Sequence, residues 1–241
     1  IKSEFYVNEL QNMVSIMPFI NGIGGHSLRS YSGYDNFLPK IKYITFLRDP
    51  VKRYQSHFIY RKYRTSSNTG GEEPEITYSD FLNDERYANF MTKRFSKTGD
   101  IKEAIKNIEK LDFVGLLEDF DTSLILMKHY LKLDKFSINY RIRNISKVSS
   151  YEKNLSTFHN ADLSRKTIEQ NSKDLELYSY VKDKLFSKMI LNYPNDLNRD
   201  LTRLKEENIS FQFSNSSRLK QFITKWCFIR PYERLSYSIY H

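Results

Sequence analysis

The sequence contains very little cysteine. Cys227 is the only one, so the chain has no intrachain disulfide and no cysteine-based metal site. This is compatible with a reducing compartment. The sequence also lacks an apolar run long enough to cross a bilayer, and it has no secretory h-region. It begins at Ile1 without an initiator methionine, and we therefore expect a segment upstream of it.

The common phosphate-binding loops of nucleotide enzymes are also missing. The segment Asn21–Leu28 (NGIGGHSL) has three glycines, but their order matches neither a Walker loop nor a dinucleotide fingerprint. We interpret it as a tight loop that delivers His26. The absence of a Walker loop and of a metal-binding carboxylate cluster makes an ATP-dependent kinase the weakest of the functions considered below.

The composition predicts one ordered domain with acidic partners. A chain of 241 residues can bury a substantial core, and 39% hydrophobic and 15% aromatic residues argue against disorder. The formal net charge is +9. Nucleic acid, an anionic membrane, an anionic nucleotide or an acidic polysaccharide would each satisfy this charge, so charge alone does not select the partner.

Residues 41–64 (IKYITFLRDPVKRYQSHFIYRKYR) place a helix directly after a strand. The apolar, β-prone run that ends near Leu47 is typical of a strand buried on both faces. Asp49 is a favoured N-cap residue, and Pro50 suits the first helical position. The sequence therefore predicts a sharp strand-to-helix turn, with Arg48 at the turn.

This turn is a candidate anion site. The start of a helix presents unpaired N–H groups and a partial positive charge, and Arg48, Arg53 and Ser56 add side-chain donors. A surface helix with solvated basic residues is the alternative, and it accounts well for any single arginine. The combined spacing Arg-Asp-Pro-x-x-Arg-x-x-Ser after an apolar strand favours the anion site.

The segment FLRDPVKRYQS resembles the 3′-phosphate-binding segment of the carbohydrate sulfotransferases, especially the group of heparan sulfate 2-O-sulfotransferase and its uronyl and chondroitin relatives. Those enzymes use 3′-phosphoadenosine 5′-phosphosulfate (PAPS) as sulfuryl donor. The resemblance implies that Arg48 and Ser56 hold the 3′-phosphate, that Arg53 is structural, and that PAPS is the co-substrate with no metal.

A second segment, FVGLLEDFDTSLILM, resembles the strand and helix that follow the middle of the sulfotransferase domain. The implied fold is α/β, a P-loop-like three-layer fold with a central parallel sheet flanked by helices. We expect a single domain over 1–241, with 195–241 as a C-terminal extension of uncertain packing. Within the second segment, Glu118 is interpreted as a helix-capping carboxylate.

His26 is the candidate general base. The 2-O-sulfotransferase group carries a Gly-His pair shortly before the Arg-Asp-Pro segment, and Gly25-His26 lies at a similar distance. An imidazole is suited to taking a proton from a sugar hydroxyl as that hydroxyl attacks sulfur. On sequence chemistry alone, a polar loop residue is the more common role for such a histidine.

Two further basic segments are candidate binding elements. Residues 139–147 (NYRIRNISK) resemble the variable loop that returns over the nucleotide, which implies phosphate contacts from Arg143 and Lys147. Arg61 and Arg64, on the predicted helix, are candidates for contact with an acidic substrate. Solvated basic side chains would give the same pattern at all four positions.

One part of the family pattern is missing. Such enzymes begin with a strand and a Pro-Lys-x-Gly-x-Thr/Ser loop around the 5′-phosphosulfate, where backbone N–H groups and a cation stabilise negative charge. No such loop occurs between Ile1 and His26. Either it lies upstream of Ile1, which we favour because the other elements keep the family order, or the protein has lost donor activation.

The sequence thus predicts an O-sulfotransferase that moves a sulfuryl group from PAPS to a glycan hydroxyl, without a nucleic-acid partner. The alternative is a non-catalytic basic module that binds acidic polysaccharide or nucleic acid. We expect a cytoplasmic location if the source is bacterial, or the Golgi lumen with an anchor upstream of Ile1.

The remaining pattern predicts mostly helices. Near the start we expect a helix over the first dozen residues and then a strand near Val14–Phe19. One or two helices follow in Tyr78–Phe95, capped by Ser79 or Asp84, and another covers Asp100–Leu111. A buried strand at Asp112–Leu116, a helix from Glu118 or Asp119, and a long helix over Asn171–Tyr193 complete the expected elements.

Overall fold

The computed structural model describes residues 6–16, 22–25, 28–36, 41–68, 76–140 and 155–211, without the side chains of 63–68, 155 and 210. The chain forms two compact units. The smaller one comprises Ile1–Ile41 and Glu206–His241, and the larger one comprises Lys42–Lys205. The single domain expected over 1–241 stays a prediction.

The smaller unit is helical near its start. Helix α1 spans Val7–Ile16, and a 3₁₀ turn spans Tyr34–Asn36. Leu10 and Tyr34 are buried. The strand predicted near Val14–Phe19 is wrong for its first residues, because Val14 to Ile16 continue the helix. The other residues of that prediction lie outside the described part of the chain.

The larger unit contains a parallel pair of strands. Strand β1 (Ile44–Leu47) pairs with β2 (Phe113–Leu116), with Ile44 opposite Phe113 and Leu47 opposite Leu116. All four residues of β2 are buried, as predicted. The prediction that β1 is buried on both faces is wrong for its first residue, because Ile44 is 50% exposed. Within the described residues β1 has only one neighbouring strand, so its other edge is not covered by the sheet.

Helices flank this sheet, and the fold is therefore α/β. The helices that follow β1 along the chain are α2 (Pro50–Asn68), α3 (Tyr78–Leu82), α4 (Thr92–Phe95), α5 (Ile101–Ile108), α6 (Phe120–Tyr130), α7 (Leu155–Phe158), α8 (Ala161–Gln170), α9 (Ser172–Tyr180), α10 (Ser187–Leu191) and α11 (Leu197–Ser210). A π-helical turn at Val181–Phe186 joins α9 to α10 and completes the long helix predicted there. The three-layer, P-loop-like arrangement stays a prediction.

Local capping explains where two of these helices begin. Thr77 Oγ1 accepts a hydrogen bond from the Asp80 N–H (3.1 Å), and the Asp80 carboxylate accepts one from the Thr77 N–H (3.2 Å). This is a capping box, and α4 begins after Met91, so the predicted caps Ser79 and Asp84 are wrong. Asp100 caps α5 by accepting from the Glu103 N–H (2.8 Å), at the predicted start of that helix.

Two hydrophobic clusters stabilise the larger unit. The first surrounds β2 and includes residues from both strands, α5, α6 and the long helix: Leu47, Ile108, Phe113, Leu116, Leu126, Leu177 and Val181. The second is mainly aromatic and joins α2 to α3 and α7: Tyr54, Phe58, Tyr78, Phe81 and Phe158. Helix α2, which begins at the candidate anion site, is thus fixed along its buried side by aromatic packing.

Gly115 allows the close packing of β1, β2 and α6. A Cβ atom at this position would lie 2.7 Å from the Phe46 ring and 2.9 Å from the Ser123 Cβ. The Ser123 hydroxyl in turn donates to the Leu116 carbonyl (3.0 Å) and accepts from the Leu116 N–H (2.9 Å). A side chain at Gly115 would therefore separate the sheet from α6.

We expect Gly115→Ala to lower the free energy of unfolding by about 1–3 kcal/mol, the usual cost of overpacking a tight core. Urea denaturation would measure it. Gly22→Ala is the control, because a Cβ at Gly22 meets nothing within 4 Å. Equal stability of the two variants would contradict the packing described for Gly115.

Candidate functional site

The turn between β1 and α2 forms as predicted around Asp49. The Asp49 carboxylate accepts a hydrogen bond from the Lys52 N–H (2.8 Å), and its carbonyl accepts from the Arg53 N–H (2.8 Å). Pro50 is the first residue of the helix. Arg48 therefore lies between the last residue of the strand and the N-cap of the helix.

The backbone donors at this turn are less available than the sequence predicts. Asp49 takes the Lys52 N–H, and the Asp49 N–H donates to Glu118 Oε1 (3.0 Å). Glu118 thus stabilises the turn before α2, across the sheet, instead of capping its own helix. Because the Asp49 and Lys52 N–H groups already donate to carboxylates, the predicted anion site depends mainly on side-chain donors.

Arg48 and Ser56 provide the donors that remain. Both residues are half-buried, and within the described part of the chain neither side chain makes a hydrogen bond or an ion pair. Arg48 also lies close enough to Arg53 to contribute to the lowered pKa of that guanidinium, although burial is the larger cause. A guanidinium and a hydroxyl are both suited to a phosphate oxygen.

Arg53 is used inside the protein. Its guanidinium carbon lies 4.9 Å from the centroid of the Phe90 ring, and its Nη2 donates to the Tyr87 carbonyl (3.4 Å). Burial lowers the pKa of Arg53, while the charge of Asp174 opposes this shift. The placement agrees with the structural role that the family resemblance implies for this residue.

The second basic segment starts at the same edge of the sheet. Tyr140 donates to Asp121 Oδ1 (2.7 Å), near the start of α6, and its ring lies 4.9 Å from that of Phe120. Phe120 in turn lies 5.5 Å from Phe46 of β1. The chain therefore reaches the carboxyl end of the sheet at the residue just before Arg141.

The other predicted site residues are placed in part. Arg61 is exposed on α2, with its guanidinium carbon 5.7 Å from the centroid of the Tyr87 ring. Arg64 lies on the same helix, and its side chain is not described. His26, Arg143 and Lys147 lie outside the described residues, so their roles stay predictions.

The sequence analysis missed the role of Glu118 and its partner Tyr178. Besides the Asp49 N–H, Glu118 accepts a hydrogen bond from the Tyr178 hydroxyl (2.9 Å). The position of Glu118 in the sequence gives a signal for this role. Glu118 follows β2 closely, and the carboxyl ends of neighbouring parallel strands meet at one edge, beside the turn after β1. Tyr178 carries no such signal, since its contact spans a large sequence separation.

Two properties of the described residues bear on possible ligands. No cluster of three or more potential metal ligands occurs among them. In the same part of the chain, no helix is long and apolar enough to span a bilayer.

Comparison with known proteins finds no matching family model, no matching curated protein and no matching solved structure.

His57 follows Ser56 on α2 and lies among aromatic rings. Its ring is 5.6 Å from Phe81 and 5.0 Å from Tyr87, in edge-to-face contacts. Burial, with smaller contributions from Arg53 and Arg61, lowers the pKa of His57 from 6.5 to about 4. The imidazole is therefore neutral near pH 7, which makes it an aromatic packing group rather than a cation for an anionic ligand.

This pKa shift predicts a loss of stability in mild acid. Because His57 binds a proton more weakly in the folded state than in the unfolded state, its effect is absent above about pH 6.5 and grows as the pH falls towards 4. Allowing for the partial exposure of His57, we expect the free energy of unfolding to decrease by about 1–2 kcal/mol in total.

Urea denaturation of the wild type and of His57→Phe at several pH values between 7 and 4.5 would measure it. The free energy of unfolding of His57→Phe should fall less over this range than that of the wild type. Carboxylates titrate in both proteins, so their effect cancels when the two values at each pH are subtracted. Parallel pH profiles would contradict the assignment.

Proposed function

We propose that this protein binds PAPS and transfers its sulfuryl group to a hydroxyl of a glycan. The observation that carries the proposal is the pair of side chains Arg48 and Ser56 at the start of α2, which make no hydrogen bond or ion pair with the other described residues. The sequence around them resembles the 3′-phosphate segment of the carbohydrate sulfotransferases. The nearby start of the second basic segment, next to Tyr140, supports the same location.

In this proposal the guanidinium of Arg48 and the hydroxyl of Ser56 hold the 3′-phosphate. Arg143 and Lys147 contact the nucleotide phosphates, and Arg61 and Arg64 contact the acceptor. Both bonds would be charge-assisted because the phosphate is ionised, but the guanidinium of Arg48 also carries a positive charge and can donate two parallel bonds, so Arg48 should contribute more to affinity than Ser56.

The proposed reaction is an in-line transfer. His26 takes the proton of the acceptor hydroxyl, whose oxygen forms a bond to sulfur while the bond from sulfur to the bridging phosphate oxygen breaks. Adenosine 3′,5′-bisphosphate leaves with the electron pair of that bond. The negative charge that develops on the bridging oxygen requires a cation or backbone donors.

A non-catalytic polyanion-binding protein is the second candidate. The net charge of +9 favours it. Such a protein would bind by charge and would not distinguish a 3′-phosphate from other phosphates.

We expect the wild type to prefer adenosine 3′,5′-bisphosphate over adenosine 5′-monophosphate, and Arg48→Ala to remove most of that preference. The loss should be about 10- to 100-fold in affinity for the bisphosphate, equivalent to one charge-assisted hydrogen bond, with a smaller loss for Ser56→Ala. Isothermal titration calorimetry with both nucleotides would measure it.

Arg165→Ala is the matched control, because it removes the same charge from an exposed position on α8. Equal losses of affinity for the bisphosphate in Arg48→Ala and Arg165→Ala would favour the polyanion-binding candidate. A wild type without preference for the bisphosphate would contradict the proposed site.

We expect the full-length protein to produce sulfated oligosaccharide from PAPS, and His26→Ala to lower turnover by about 100-fold or more, the usual effect of losing a positioned base. Mass spectrometry of a panel of oligosaccharides would detect the product. His129→Ala is the control, because His129 packs against Tyr130 and Tyr193. Unchanged turnover in His26→Ala would eliminate that residue as the base.

A further inference from the structure

Glu118 connects three separate parts of the larger unit. It follows β2 closely, its Oε1 accepts from the Asp49 N–H before α2, and its Oε2 accepts from the Tyr178 hydroxyl on α9. The Glu118 side chain is exposed, whereas Tyr178 is only 9% exposed. The buried tyrosine therefore fixes the orientation of a carboxylate that is exposed to solvent.

We propose that Glu118, held by Tyr178, is a positioning residue that fixes the turn between β1 and α2 and so directs Arg48. Two other hydrogen bonds constrain this turn. The Asp49 carboxylate accepts from the Lys52 N–H, and the Leu47 carbonyl accepts from the N–H of Leu117, which follows β2 (2.7 Å). Glu118 adds the contact that ties the turn to α9. A carboxylate is also favourable at the positive end of a helix.

This arrangement has a consequence for ligand binding, which rests on the proposed function. Because Glu118 occupies the Asp49 N–H, a bound phosphate is directed to the side chains of Arg48 and Ser56 rather than to that backbone donor. Without Glu118, the N–H becomes available to any anion and the direction of Arg48 is less restricted. The preference for a 3′-phosphate should then decrease, even where total affinity for anions does not.

The chain offers a matched control on the same helix. The Tyr180 hydroxyl donates to Glu109 Oε1, which also joins α9 to a carboxylate, at the end of α5. Tyr180→Phe removes the same phenol–carboxylate bond without a contact to the turn. Any general effect of a lost bond on α9 should therefore appear in both Tyr178→Phe and Tyr180→Phe.

The first test does not depend on the proposed function. We expect Tyr178→Phe and Glu118→Ala to shift the backbone amide resonance of Asp49 and to speed its hydrogen exchange, as measured by NMR spectroscopy. Tyr180→Phe should leave this amide unchanged. An Asp49 amide that is unaffected in both Tyr178→Phe and Glu118→Ala would overturn the positioning role. Glu118→Met, which keeps the length of the side chain but has no oxygen to accept the bond, replaces Glu118→Ala if the latter does not fold.

The second test measures the ratio of affinities for adenosine 3′,5′-bisphosphate and adenosine 5′-monophosphate. We expect Tyr178→Phe to lower this ratio by about 5-fold or more relative to Tyr180→Phe, the effect of misaligning one charge-assisted bond. An unchanged ratio with a shifted Asp49 amide would overturn the claim that the turn directs Arg48. A wild type without any preference would instead refute the proposed function, and the amide measurements would still decide whether Glu118 fixes the turn.

Discussion

The parallel pairing of β1 with β2 is the constraint on which the rest of the candidate site depends. It places the carboxyl ends of both strands at one edge, so the turns after Leu47 and Leu116 are neighbours although they are far apart in sequence. Gly115 makes the pairing compact, because Phe46 and Ser123 approach it closely. The bond between Glu118 and the Asp49 N–H, which joins the two turns, follows from this adjacency.

Charges of opposite sign have separate roles at this edge. Carboxylates satisfy the backbone: Asp49 binds the Lys52 N–H, and Glu118 binds the Asp49 N–H. Arg53 is stacked on Phe90 and contributes to the core. Arg48 and Ser56 make no side-chain hydrogen bond to any other residue that the structure describes, and these are the donors proposed for a ligand. A turn whose backbone is already satisfied can remain rigid without a ligand, and this lowers the cost of ordering when one binds.

Local patterns predicted much of the fold, and non-local contacts account for what they missed. The Asp49 cap, strand β2 and the long helix after Asn171 follow from capping preferences and hydrophobic periodicity, and the structure confirms them. The spacing of Thr77 and Asp80 is also a local signal, since a Thr three residues before an acidic residue is typical of a capping box. Glu118 could not be assigned in this way, because its partners Asp49 and Tyr178 become neighbours only after the strands pair and the long helix packs.

The most direct test of this account is a crystal structure of the protein with adenosine 3′,5′-bisphosphate. The account predicts the 3′-phosphate within hydrogen-bond distance of the Arg48 guanidinium and the Ser56 hydroxyl, with the bond between Glu118 and the Asp49 N–H retained. A nucleotide bound elsewhere, or a phosphate on the Asp49 N–H with Glu118 displaced, would contradict it.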